Sequence, residues 1–126
     1  MGKSTRSLGT KGERAAEGML RRKRFRILER NYTCRFGEVD LVADDSGTIV
    51  FVEVKTRMTD RYGPPEISVT PRKQRRYTRA ASFYLKQKKL LDVPIRFDVV
   101  SVLMSEDGRI LQRDLIRNAF QDRGSK

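Results

Sequence analysis

A chain of 126 residues, 37% hydrophobic and 35% charged, holds enough apolar material for one core beneath a densely charged surface, so residues 1–126 read as a single domain. The absence of histidine and the presence of a single cysteine, Cys34, exclude His-based triads, imidazole zinc sites and an internal disulfide. With 28 Lys and Arg against 16 Asp and Glu the net charge is +12, a field that attracts polyanions, nucleic acid first among them.

Catalysis by such a chain must come from carboxylates, amines, hydroxyls or a metal held by oxygen. No run is apolar enough to span a membrane, and MGKSTRSLGTKGER lacks the apolar stretch of a secretory signal, so a cytoplasmic protein is expected. After a flexible tail over about residues 1–8, GTKGERAAEGMLRRK (9–23) reads as a helix. Ala15, Ala16, Met19 and Leu20 share one face, and Arg21, Arg22 and Lys23 sit at the end that the helix dipole favours. FRILERNY (25–32), EVDLVADD (38–45) and TIVFVEVKTR (48–57) read as three strands joined by short turns, an antiparallel meander. MTDRYGPPEISV (58–69) is irregular around Gly63, Pro64 and Pro65.

Thr70 followed by Pro71 predicts an N-cap and the start of a long helix to about Leu91, with Tyr77, Ala80, Ala81, Tyr84, Leu85 and Leu91 toward the sheet. PIRFDVVSVLM (94–104) predicts a fourth strand and GRILQR (108–113) a fifth. LIRNAF (115–120) is expected as a last helical turn before a frayed tail at about 121–126. A strand, a long helix and another strand form a crossover, so the fourth strand should lie parallel to its neighbour in a mixed sheet flanked by helices. The fold class is α/β, in the order α-β-β-β-α-β-β.

The third strand carries the chemical question. Val50, Val52 and Val54 point one way and Ile49, Phe51, Glu53 and Lys55 the other, so the second face turns from apolar to charged at Glu53. Glu38 and Asp40 share a face on the second strand. Their offsets from the turn at Ser46 and Gly47 allow Asp40 and Glu53 to sit on neighbouring strands. Two carboxylates and Lys55 would then converge on a site suited to Mg²⁺ or Mn²⁺, which polarises a phosphate and activates water. The plainer reading, a solvated charged face, stays open for any one of these pairs.

GEVDLVADD followed by FVEVKTR resembles the PD-(D/E)xK nuclease superfamily, whose fold is restriction-endonuclease-like. With GTKGERAAEGML ahead, then YGPPEISVTPRK, the amphipathic helix and a closing RNAF, the chain looks like the YraN-like family, described as similar to Holliday junction resolvases. The resemblance implies that Asp40 and Glu53 are metal ligands, with the Val54 carbonyl as a further ligand and Glu13 as a helix carboxylate bordering the metal. It also implies that Lys55 is the catalytic lysine and that Gln74 is the glutamine of the following helix. Glu-Val-Asp stands where the superfamily name has Pro-Asp, which leaves Asp40 in place; Glu38 serves as a ligand, a turn residue or an arginine partner.

From Thr70 to Leu91 there are eight basic residues and no acidic one, a like-charge crowding that a polyanion relieves. Arg72, Lys73, Arg75, Arg76 and Arg79 are the candidate nucleic-acid contacts, with Arg57 holding either a phosphate or a neighbouring carboxylate. Phosphate contacts of this kind favour shape over base sequence. Two functions stay open: a metal-dependent, structure-selective DNA endonuclease, acting on branched DNA as a homodimer, and a non-catalytic binder of DNA or RNA on a nuclease fold.

Overall fold

The computed structural model describes residues 5–58 and 69–121, with side chains from residue 10 onward. The flexible tail expected over about residues 1–8 is helix from Thr5 onward, whereas residues 1–4, the segment 59–68 around Gly63–Pro65 and residues 122–126 lie outside the described residues. In chain order the elements are α1 (Thr5–Arg22), β1 (Arg26–Cys34), β2 (Gly37–Asp45), β3 (Thr48–Met58), α2 (Pro71–Gln87), β4 (Ile95–Met104) and β5 (Ile110–Phe120). The five strands form one sheet in the order β1-β2-β3-β4-β5. β3 and β4 run parallel and the other neighbours antiparallel, as the crossover requires.

Turn chemistry sets the register on which the site depends. Between β2 and β3 the two loop residues, Ser46 (φ 52) and Gly47 (φ 99), both have positive φ, the backbone that matches strand twist in a two-residue hairpin. Asp44 Oδ1 accepts from the Gly47 N–H at 2.7 Å and closes the turn. Asp45 then pairs with Thr48, and the ladder runs back to Leu41 opposite Val52. Between β1 and β2 another two-residue corner leaves Arg35 and Phe36 between the paired Cys34 and Gly37.

The sheet buries both faces. On one, Ala16, Met19 and Leu20 of α1 pack on Leu41, Val50, Val52, Val100 and Val102. On the other, Tyr77, Ala80, Ala81 and Tyr84 of α2 pack on Ile49, Phe51, Phe97 and Val99. α1 approaches β3 closely at Gly12, where a Cβ would stand 2.1 Å from Thr56 Oγ1. No helix among the described residues is long and apolar enough to cross a membrane.

Two expectations are corrected. LIRNAF is strand, the outer half of β5, because Leu115 packs on the α1 side and Ile116 on the α2 side; this alternation fits a strand, not a helical turn. Asp98, fully buried on β4, anchors it. Arg96 holds both its oxygens at 2.9 and 3.0 Å, and the Asn118 N–H donates at 2.8 Å.

The long helix stops at Gln87 instead of reaching Leu91, which is 76% exposed and does not face the sheet. Its end is a Schellman motif: the Lys89 N–H donates to the Lys86 carbonyl and the Leu90 N–H to the Leu85 carbonyl. Leu90 therefore makes the closing apolar contact. Lys89 carries the left-handed backbone (φ 58) that this motif usually gives to glycine. Lys89→Gly should raise stability by roughly 0.5–1 kcal/mol, seen as a higher Tm in thermal unfolding.

Candidate functional site

Continuing the β2–β3 register by one step brings Asp40 opposite Glu53, but the ladder changes there. On the β1 side, Arg30 pairs with Leu41, which packs toward α1, whereas Tyr32 pairs with Val39, and both of these pack toward α2. Residues two apart normally share a face, so the ribbon turns over between these pairs. The residues at the turnover are Asn31, with φ 51, and Asp40. In this place Asp40 Oδ2 accepts from the Val54 N–H at 2.7 Å, a side chain bonding to the neighbouring strand's backbone.

Asp40 and Glu53 line one cavity of about 330 Å³ together with Glu38, Val54, Lys73, Arg76 and Tyr77. A second, of about 460 Å³, shares Glu53, Val54 and Lys73 and adds Lys55, Arg57 and Thr70. The two carboxylates thus open on the same side of the sheet, beneath the first turns of α2, and Lys55 stands beside Glu53.

Glu53 is buried, at 5% exposure, and both its oxygens are engaged. The Tyr77 hydroxyl donates to Oε1 at 2.6 Å, and the Lys73 ammonium pairs with Oε2. Burial, with the Asp40 and Glu53 carboxylates beside it, holds the Tyr77 phenol well above its ordinary range, so it stays a donor. Burial also pushes the Asp40 carboxyl up to about 7. The Glu53 and Glu13 carboxylates add to the rise, and the Val54 N–H and Lys73 oppose it.

This shift predicts a pH dependence. In the unfolded chain Asp40 titrates at its ordinary 3.8, so between there and about 7 the folded protein binds more protons than the unfolded one. The Asp40 contribution to stability therefore falls as pH rises across that window and is smallest above it. Without divalent metal, the Tm gap between Asp40→Asn and the parent should widen in favour of the variant as pH rises through the window; a constant gap would contradict the assignment.

The remaining candidates are distributed around this centre. Glu13 reaches from α1 to accept from Asn31 Nδ2 at 3.1 Å, near enough to act on Asp40 although it lines neither cavity. Glu38 is exposed on the cavity wall. Gln74 lines neither cavity; its Nε2 donates to the Val69 carbonyl at 2.7 Å, fixing the start of α2. Arg72, Arg75, Arg76 and Arg79 are exposed along α2, and Cys34 is a half-buried free thiol. Among the described residues no group of three or more carboxylates or thiols is gathered to hold an ion; the carboxylates lining the first cavity are Glu38, Asp40 and Glu53.

Sequence reading places Tyr77 in the core and Lys73 on the nucleic-acid surface, whereas both hold Glu53. The signal for Tyr77 was its hydroxyl, since a buried tyrosine needs a hydrogen-bond partner and Glu53 is the acceptor on the facing strand. Lys73 lies four residues before Tyr77, one turn away on the same side of the helix.

Residues 12–102 match the family described as "Uncharacterised protein family UPF0102". The UPF0102 protein of Geobacter metallireducens is 51% identical over 116 residues, 92% of this chain and 93% of its own. That of Symbiobacterium thermophilum is 50% identical over 92% of this chain and 98% of its own, and that of Caldicellulosiruptor saccharolyticus 43% identical over 91% and 98%. The blocks from Gly12 through FVEVKTR to most of β4 fall inside the matched span, and the chain belongs to the UPF0102 family, the YraN family that those blocks resemble.

Proposed function

We propose that the protein is a metal-dependent, structure-selective endonuclease that hydrolyses phosphodiester bonds in branched DNA, Holliday junctions included. The observation that carries this reading is the pairing of Asp40 and Glu53 across one cavity, with Lys55 beside Glu53 and the basic face of α2 above it.

The donor set fits a hard divalent cation. Asp40 is a half-buried carboxyl whose ionisation is opposed by two neighbouring carboxylates, a local excess of negative charge that such a cation offsets. Asp40, Glu53 and the Val54 carbonyl would hold Mg²⁺ or Mn²⁺, with Glu13 at the border. When bound, the ion supplies Lewis acidity toward a phosphate oxygen and a lowered pKa for water.

The chain's own residues do the rest. Tyr77 fixes the rotamer of Glu53 through its 2.6 Å bond, and the Val54 N–H does the same for Asp40, so neither carboxylate must be reordered when substrate arrives. Lys73 pairs with the other oxygen of Glu53. Lys55 places an ammonium at the cavity edge, where negative charge grows on the phosphate during attack. Arg72, Arg75, Arg76 and Arg79 hold flanking phosphates, which fixes orientation without reading bases. Cutting two opposed strands of a junction needs two such centres related by symmetry, hence a homodimer on that substrate.

The test is incubation of pure protein with labelled four-way junction, flap and linear duplex in Mg²⁺ or Mn²⁺. Cleavage of the branched substrates in preference to duplex is expected; cleavage of none refutes the enzyme. A second reading, a non-catalytic binder of DNA or RNA, is favoured by one observation: Tyr77 and Lys73 already engage both Glu53 oxygens. It predicts binding that weakens steeply with salt and is indifferent to divalent metal.

A further inference from the structure

Beside the candidate site lies a larger groove, of about 770 Å³, lined by Arg35, Phe36, Arg79, Ser82, Phe83 and Lys86 among others, none of them acidic. It is continuous with the site, because Phe36 lines both. Phe36 and Arg35 are the two residues at the β1–β2 corner, which leans over α2. The rings of Phe36 and Phe83 meet edge to face, with centroids 6.2 Å apart and planes at 71°, and the Arg35 guanidinium stands 4.9 Å from the Phe36 centroid.

Phe83 is not required by the core. α2 buries Tyr77, Ala80, Ala81 and Tyr84, whereas Phe83 stays half-buried beside the cations Arg79 and Lys86. Two aromatic rings set among three cations complement a strand that alternates a flat π-surface with a negative phosphate. A base inside a duplex already has both faces stacked, so only an unpaired base can use these rings.

We propose that this groove is a stacking subsite for an unpaired nucleobase on the strand that leaves the candidate site. The inference rests on the nucleic-acid reading above and adds a preference, among its branched substrates, for DNA with a single-stranded flank next to the cut, as in a flap or a fork. Arg35, Arg79 and Lys86 hold the phosphates of that flank.

The experiment measures binding by fluorescence anisotropy in EDTA, where no strand is cut. The probes are a short thymidine strand and an abasic strand with the same number of phosphates. The intact strand should bind about tenfold tighter than the abasic one. Phe83→Ala should erase that difference with abasic affinity unchanged, and Phe83→Trp should keep it; Phe83 is chosen because Phe36 also packs on the core. Equal binding of both strands by the parent protein overturns the subsite and leaves a phosphate-binding nuclease standing. Binding of neither strand overturns both readings. A DNA-free dimer in sedimentation that Phe83→Ala splits overturns the subsite as well, making the groove an interface between copies.

Discussion

Glu53→Ala should reduce cleavage of a branched substrate in Mg²⁺ or Mn²⁺ by at least about a thousandfold, close to ~4 kcal/mol of barrier, while the fold persists. A two-residue turn at Ser46 and Gly47 fixes β2 against β3 as far as Leu41 opposite Val52, and beyond that pair Asp40 and Glu53 line one cavity on the α2 side. No other carboxylate of β3 can replace it, since the strand's remaining positions are all apolar, hydroxylic or basic. The variant also leaves Lys73 without its carboxylate partner, so added positive charge at the cavity should preserve or raise DNA affinity as turnover disappears. Tyr77→Phe, which removes one hydrogen bond and keeps Glu53, should lose about 10–100-fold. The measurement is single-turnover cleavage of labelled junction or flap with saturating protein. Equal rates for Glu53→Ala and the parent would exclude the site.

The second large effect is on stability. Arg96→Ala should destabilise the fold by about 3–5 kcal/mol in urea unfolding, because Asp98 is fully buried and would keep only the Asn118 N–H as a compensating donor. The same guanidinium reaches Asp45 Oδ2 at 2.9 Å, where Arg117 Nη1 meets it at 2.9 Å. One side chain thus ties β4 to the β2–β3 turn, while Arg117 brings in β5. Since that turn fixes Asp40 against Glu53, damage at Arg96 should also lower activity at temperatures where the variant is partly unfolded. A loss below about 1 kcal/mol would show that the network stabilises little.

The contrast between the legible and illegible parts of this molecule has physical causes. That Asp40 and Glu53 come to line one cavity is readable because a glycine turn converts sequence offsets into register, and strand alternation then assigns faces. β5 was misread because Leu115 and Ile116 are adjacent apolar residues, a pattern that suits a helix turn as well as a strand buried on both faces; the second covering layer decides it. The end of α2 was overextended because Lys88, Lys89, Leu90 and Leu91 continue an amphipathic pattern, while the stop lies in the left-handed backbone of Lys89, a residue that gives no such signal. Tyr77 and Lys73 escaped because composition shows what a helix face carries and not which group lies across from it. The turnover of the β1–β2 ribbon at Asn31 was likewise silent, although asparagine is among the residues that accept positive φ.

The proposed chemistry requires Asp40 and Glu53 together to hold one divalent cation on a surface that gathers phosphate. Calorimetric titration of Mn²⁺ into the DNA-free protein near neutral pH tests it most directly, with Asp40→Asn and Glu53→Gln beside the parent. A saturable binding heat in the parent that disappears in each variant is the predicted result. No saturable heat in the parent, or the same heat in all three proteins, would contradict it.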